Sequence, residues 1–212
     1  MYKKLYSKHA YLFLGIGLFL LFLFFSYLVH KNLFVNFDFS MTVRLQDHIS
    51  RRFDQFFSFF SMIGQFEIMS IFLAIILLIR RRIVGLLVVF AYGVIHLIEL
   101  YGKFFVNHKP PPHFLLRTEY PINFPQFYVS TENSYPSGHA ARTLFVSLLI
   151  VFLVYPNKRL HKEAKFIIYG FLCIFDCIML VSRAYLGEHW TSDLIGGVLL
   201  GSSMAFFAKR YL

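Results

Sequence analysis

The sequence predicts an all-α integral membrane protein: six transmembrane helices, with an amphipathic interfacial helix between the first two. Three observations predict it. The 212 residues are 58% hydrophobic and 20% aromatic, with only 15% charged residues. A soluble domain of this size has no interior large enough to hide that much apolar surface, so lipid is its natural solvent. The apolar residues fall into six stretches of about the 20 residues needed to cross a hydrocarbon core. Lys and Arg cluster at every second boundary between these stretches, as they do at the cytoplasmic ends of spans.

Residues 11–29 carry no charge and form the clearest span. The preceding MYKKLYSKHA gives the start of the chain the look of a signal peptide. The apolar run is longer than a usual h-region and no A-x-A-like site follows, so an uncleaved first span is expected. In residues 30–58, Leu45, Ile49 and Phe53 recur at four-residue spacing, with Arg44, Asp47, Arg51 and Arg52 between them. That pattern predicts an amphipathic helix lying in the interface. Residues 59–79 form the second span, tolerating Gln65 and Glu67 near its outer end. Residues 83–105 form the third, joined to the second only by Arg80, Arg81 and Arg82 in a tight helical hairpin. Residues 106–137 hold five of the seven prolines before Tyr135 and no helical period. They predict a long irregular loop, a kind that is often functional. Residues 138–155, 166–186 and 189–208 supply the last three spans, and the whole of 1–212 reads as one domain.

The basic clusters are Lys3, Lys4 and Lys8; Arg80–Arg82; Lys158, Arg159, Lys162 and Lys165; and Lys209 and Arg210. Six spans with those clusters on one side put both termini in the cytoplasm. The formal charge of +10 is divided among helix ends on one face instead of forming a single patch, which excludes a nucleic-acid partner. Cys173 and Cys177, one helical turn apart, are too few for a dedicated metal site and are expected as small core residues.

Three polar blocks interrupt the apolar pattern: GKFFVNHKPPP (102–112), YPSGH (135–139) and SRAYLGEHWTSD (182–193). By the charge count all three lie on the extracytoplasmic side. His189 and Asp193 are four apart, on one face of the sixth helix. This spacing suits either a carboxylate orienting an imidazole nucleophile or base, or simply a polar helix start. Ser137 and Gly138 open the fourth helix, where free N–H groups bind anions, and His139 follows within reach of a leaving oxygen. The same residues also make an ordinary turn into a helix. Lys103 and Arg183 end the third and fifth helices, where cations complement the dipole. Those helices end on the face where the fourth and sixth begin, so the two cations converge with the two histidines around a phosphoryl group. Glu99, Arg142 and Asp176 are ionisable residues within spans and are expected to orient the site from behind. Glu188 has no helical partner and is expected to be solvated.

These blocks resemble the type 2 phosphatidic acid phosphatase family, also called PAP2, whose pattern is Lys-x6-Arg-Pro, Pro-Ser-Gly-His and Ser-Arg-x5-His-x3-Asp. Pro136-Ser137-Gly138-His139 matches the second block, and Ser182-Arg183, His189 and Asp193 match the third with its spacing. The first block departs: Lys103 stands in place, but Pro110 replaces the arginine and Lys109-Pro110 comes one residue early. The missing charge then falls to Lys109 through a shifted loop, or to Arg117 or Arg142. The resemblance implies that His189, oriented by Asp193, attacks phosphorus and forms a phosphohistidine. His139 protonates the leaving group and then helps to activate water. Lys103, Arg183, Ser137 and the Gly138 N–H hold the phosphoryl oxygens, and no metal or other cofactor is implied.

The expectation is therefore a lipid phosphatase in the cell membrane with its site on the outer face. Its candidate substrates are undecaprenyl diphosphate, phosphatidylglycerophosphate and phosphatidic acid. Two alternatives stay open: a lipid phosphotransferase using the same phosphohistidine step, and a non-catalytic protein that binds lipid phosphates.

Overall fold

The structure, a computed structural model, describes residues 2–80, 85–119 and 132–209. Arg81, Arg82, Arg210 and loop residues 120–131 lie outside them. Among the described residues the fold is entirely helical. In chain order the helices are α1 (Tyr2–His30), α2 (Val35–His48), α3 (Asp54–Met62), α4 (Phe66–Arg80), α5 (Gly85–Phe105), α6 (Gly138–Val154), α7 (Lys162–Tyr185) and α8 (Thr191–Lys209). Short 3-10 turns at Arg51–Phe53 and His113–Leu115 join them. Four helices (α1, α5, α7 and α8) are long and apolar enough to cross a membrane, and α3 with α4 makes a fifth if the bent pair is one span. The 17 residues of α6 are apolar but shorter.

The bundle is built around α8. Of its apolar window, 61% is buried, against 17% for α1 and 11% for α7. Lipid chains are as apolar as leucine, so close backbone approach decides which helices associate. Gly197 and Gly201 provide that approach: a Cβ on Gly201 would lie 2.2 Å from the Ala141 carbonyl oxygen, and one on Gly197 2.4 Å from that of Ser137. The other side of α8 meets α1. Tyr135, fully buried, stacks on Phe22 of α1 and bonds the Ser26 hydroxyl at 2.8 Å, fixing the loop that enters α6.

Three expectations are corrected. The continuous span over 59–79 is two helices bent by 49° at a break around Gly64. A glycine break frees a carbonyl from the helical ladder, and that of Gly64 accepts Arg142 Nε at 3.2 Å. The helix within 30–58 is present as α2, but its buried face is polar: Asp38, Thr42 and Gln46 point inward, while Phe37 and Phe39 are exposed. The inner face meets main-chain acceptors: Gln46 Nε2 donates to the carbonyls of Tyr185 at the end of α7 (2.8 Å) and of Leu115 in the 3-10 turn His113–Leu115 (2.7 Å). Leu45 and Ile49 are half-buried and Phe53 is exposed, and α2 ends at His48, so the spacing from Leu45 to Phe53 does not lie on one helix. Cys173 and Cys177 are exposed on α7 instead of buried in the core.

Candidate active site

At one end of the bundle the last turns of α5 and α7 meet the first turns of α6 and α8. The Ser137 N–H donates to the Asp193 carbonyl at 3.0 Å, tying the starts of α6 and α8 by a main-chain bond. After α7 the chain turns sharply. Gly187 takes φ +69, which favours glycine, and a Cβ there would lie 2.2 Å from the Leu115 carbonyl oxygen. The N–H groups of Glu188 and His189 then donate to the Arg183 carbonyl at 3.2 and 3.3 Å. This turn brings His189 back over α8.

His189 Nδ1 lies 3.2 Å from Asp193 Oδ2, which also accepts the Trp190 N–H at 3.0 Å. Burial, reinforced by the Arg183 and Lys103 charges, holds the His189 imidazole well below its usual range. The ring is therefore neutral at ordinary pH. With its proton on Nδ1 and donated to Asp193, Nε2 keeps a free lone pair. His139, in the first turn of α6, lies within the field of the same Arg183 and Lys103 and of Arg142.

Glu99 organises the cations. Its Oε1 accepts Lys103 Nζ at 3.0 Å, and its Oε2 accepts Arg142 Nη1 at 2.8 Å and lies 3.5 Å from His96 Nδ1. Breaking a buried ion pair of this kind costs about 3–5 kcal/mol. Gly138 lies directly beside this carboxylate, where a Cβ would come within 2.1 Å of Glu99 Oε1. Arg183 donates to the Ser61 hydroxyl and pairs with Glu188. Glu188, expected in solvent, is thus a partner of Arg183, and it also accepts the Thr118 hydroxyl at 2.5 Å. Ser137 occupies the N-cap position of α6 without a side-chain capping bond. Its buried Oγ, like Arg183 Nε, has no hydrogen-bond partner among the described residues.

Three expected residues stand apart from this cluster. Lys109 is 66% exposed and pairs with Glu132, itself 86% exposed, at 2.9 Å. Arg117 donates to the Gln46 carbonyl at 3.1 Å and lies over the Tyr185 ring, fastening the loop to α2 and α7. Asp176 accepts the Ser147 hydroxyl at 3.1 Å, about 12 Å down α6 from His139 at 1.5 Å per residue. Of the three candidates for the missing first-block charge, Arg142 is tied to this cluster through Glu99, whereas Lys109 pairs with Glu132 and Arg117 bonds the Gln46 carbonyl. The sequence reading missed Ser61, Asp38, His108 and Ser192. Asp38, Thr42 and Gln46 form a polar row at four-residue spacing, and that row was the legible sign of an inward face. Among the described residues, no group of three His, Cys, Asp or Glu side chains is arranged to hold a metal ion.

A helical bundle with most of its apolar surface outward and an ionised cluster at one end of its helices is a multi-pass membrane protein with a polar site. The sequence profile of the PAP2 superfamily matches residues 69–212, and the chain belongs to that superfamily. Phosphatidylglycerophosphatase B of Bacillus subtilis (strain 168) is 26% identical over 135 residues, 62% of this chain and 60% of the relative. Undecaprenyl-diphosphatase of Sulfolobus acidocaldarius is 29% identical over 139 residues, 65% of this chain and 60% of the relative. The chain thus aligns with about three fifths of the length of these curated relatives. The crystal structure of a transmembrane PAP2-type phosphatidylglycerolphosphate phosphatase from Bacillus subtilis shares the fold. Its TM-score is 0.71 at 21% identity, covering 92% of this chain and 94% of that one. Aquifex aeolicus LpxE matches with a TM-score of 0.57 at 20% identity, over 81% of this chain and 94% of that one.

Proposed function

We propose that this protein is a membrane lipid phosphatase that hydrolyses a lipid phosphate or diphosphate through a phosphohistidine. The observation that carries the reading is the buried His189–Asp193 pair, with the Lys103 and Arg183 charges acting on the same imidazole. His189 Nε2 attacks phosphorus as the bond to the leaving oxygen breaks. Once the anionic phosphate offsets the surrounding cations, His139 takes up a proton and gives it to that oxygen. Water then attacks the phosphohistidine, His139 takes a proton from it, and phosphate leaves with the His189 ring restored. Lys103, Arg183, Ser137 and the Gly138 N–H hold the equatorial oxygens, where charge spreads in the transition state. Arg142 stands behind Lys103 through Glu99, in keeping with a site that lacks the first-block arginine.

A lipid substrate is supported by an apolar groove of about 860 Å³ between α4 and α5. It runs past Leu77, Leu86, Val89 and Tyr92 to His96, one turn before Glu99. The names of the curated relatives bring phosphatidylglycerophosphate and undecaprenyl diphosphate to the substrate panel, and phosphatidic acid completes it. In this reading 1–212 is one domain crossing the membrane six times, by α1, α3 with α4, α5, α6, α7 and α8. The basic clusters face the cytoplasm with both termini, α2 lies in the interface, and the site faces outward.

The test is phosphate release from that panel by the protein purified in detergent. His189→Ala should abolish release and the acid-labile phosphoenzyme. A wild type that releases nothing from any lipid phosphate points to a binding protein. A phosphorylated acceptor with little free phosphate points to transfer, and retained release by His189→Ala removes His189 as nucleophile.

A further inference from the structure

We propose that His108, in the loop after α5, is a positioning residue: its Nε2–H sits 3.5 Å from the buried Asp193 Oδ1, which has no hydrogen-bond partner among the described residues, and its dipole steadies that carboxylate so that Oδ2 stays aimed at His189 Nδ1. The inference rests on the phosphatase reading above. His108 Nε2 lies 3.5 Å from Asp193 Oδ1, 3.6 Å from Asp38 Oδ2 and 3.1 Å from Ser192 Oγ. The Ser192 hydroxyl donates its proton to Asp38 Oδ2 at 2.6 Å, so toward His108 it presents a lone pair. Nε2 therefore faces three acceptors. A ring with its lone pair there would meet only repulsion, and the Nε2–H tautomer is the one that fits.

The arrangement is built. The His108 N–H donates to Asn133 Oδ1 at 3.1 Å, and its carbonyl accepts the Ser134 N–H at 2.9 Å. Asp38 accepts the Ser192 N–H at 2.8 Å and so anchors the first turn of α8 to α2. The side chains of His108 and Asp38 are 4% and 1% exposed, which makes an unmet donor there expensive. Burial holds His108 below the usual imidazole range although Asp193 pulls it up, and burial pushes Asp38 up to about 6. A neutral ring with a single donor agrees with the geometry. The titratable groups facing His108 are Asp38 of α2, Asp193 of α8 and His189 before α8. Lys109, next to it in the chain, turns away to Glu132. Behind His108 lies a cavity of about 540 Å³, lined also by Asp38, Lys109 and Trp190. The segment where the first block departs from the family pattern thus acts on the nucleophile's partner, not on phosphate.

The experiment compares pH–rate profiles of wild type, His108→Leu, His108→Gln and His189→Ala on the lipid phosphate that the wild type hydrolyses fastest. Partners that orient metal ligands are worth about 10–100-fold, and a partner that orients the nucleophile's carboxylate is expected to act on the same scale. His108→Leu should lower kcat by about that factor, with KM within about twofold. Without the donor, Asp193 protonates more readily, so the acid limb of kcat/KM should move to higher pH. His108→Gln, which keeps an N–H, should restore most of the rate. If His108→Leu does not fold, His108→Asn, too short to reach Asp193, carries the same expectation. A leucine variant with wild-type kcat and an unmoved acid limb overturns the proposal. So does a loss equal at every pH, with a lowered melting temperature and no rescue by glutamine. Activity retained in His189→Ala sinks the phosphatase mechanism itself; an inactive His189→Ala beside an unaltered His108→Leu sinks only this inference.

Discussion

The seam between α6 and α8 and the seam between α4 and α5 are both lined with apolar and small residues, yet one is closed and the other open. On α8, a Cβ added to Gly201 would strike the Ala141 carbonyl oxygen at 2.2 Å. On α5, a Cβ added to Gly93 would meet nothing within 4 Å, because the groove of about 860 Å³ lies there. Hydrophobicity does not distinguish the two, since lipid solvates both equally well. What distinguishes them is whether two backbones touch. The histidines stand at the top of the closed seam, and the open one provides room for an acyl or isoprenoid chain.

The comparison breaks most severely at the closed seam. Gly201→Leu should force α6 and α8 apart, at a cost of roughly 1–3 kcal/mol for an overpacked contact. It should also displace His139 from His189, and a misplacement of about 1 Å costs on the order of 100-fold in rate. Thermal melting in detergent and phosphate release should fall together. A variant that melts with the wild type and keeps its kcat would show that the backbone contact does not set the geometry of the site.

A smaller effect is expected where the seam meets the cations. Gly138→Ala puts a methyl group against Glu99, which Lys103 and Arg142 hold in place. The carboxylate must move, and both cations move with it. We expect roughly a tenfold loss of kcat, the lower range for partners that orient a site, with little change in melting temperature. Unchanged kcat would mean that Glu99 yields freely and does not set the position of Lys103.

Much of this was legible in the sequence, for identifiable reasons. Long apolar runs with basic ends have one solvent that suits them, and so α1, α5, α7 and α8 could be read directly. The spacing of four between His189 and Asp193 left an oriented pair and a polar helix start both open; the two side chains do meet, although His189 lies in the turn before α8 and not on the helix. What escaped was set by contacts distant in the chain. The break at Gly64 is stabilised by Arg142, 78 residues away, and no local signal marks it. Asp38 reaches Ser192 across 154 residues. Lys109-Pro110 stands one residue earlier than the family's Arg-Pro, and the exposed Lys109 ammonium pairs with Glu132, a contact set by the fold of the loop. The apolar spacing of Leu45, Ile49 and Phe53 predicts an amphipathic helix, but α2 ends at His48 and its polar row, Asp38, Thr42 and Gln46, carries the contacts to the rest of the protein. In a bilayer the usual inside-out rule weakens: the inward face of α2 is polar because it meets a polar site.

The open seam gives the mildest prediction and the sharpest discrimination. Val89 is about half exposed and lines the groove between α4 and α5, away from the ionised cluster. Val89→Trp fills that space without touching a site residue. If a substrate chain lies in the groove, losing contact with one or two methylene groups costs about 1 kcal/mol, which is roughly a fivefold rise in KM for the long-chain lipid. A water-soluble phosphate ester with no long chain should be hydrolysed by the variant with unchanged kcat and KM. Melting should also be unchanged, since the added ring is solvated by lipid in the empty protein. Equal effects on long-chain and chainless substrates would mean that the tail lies elsewhere and that the α4–α5 groove is only a gap between loosely associated helices.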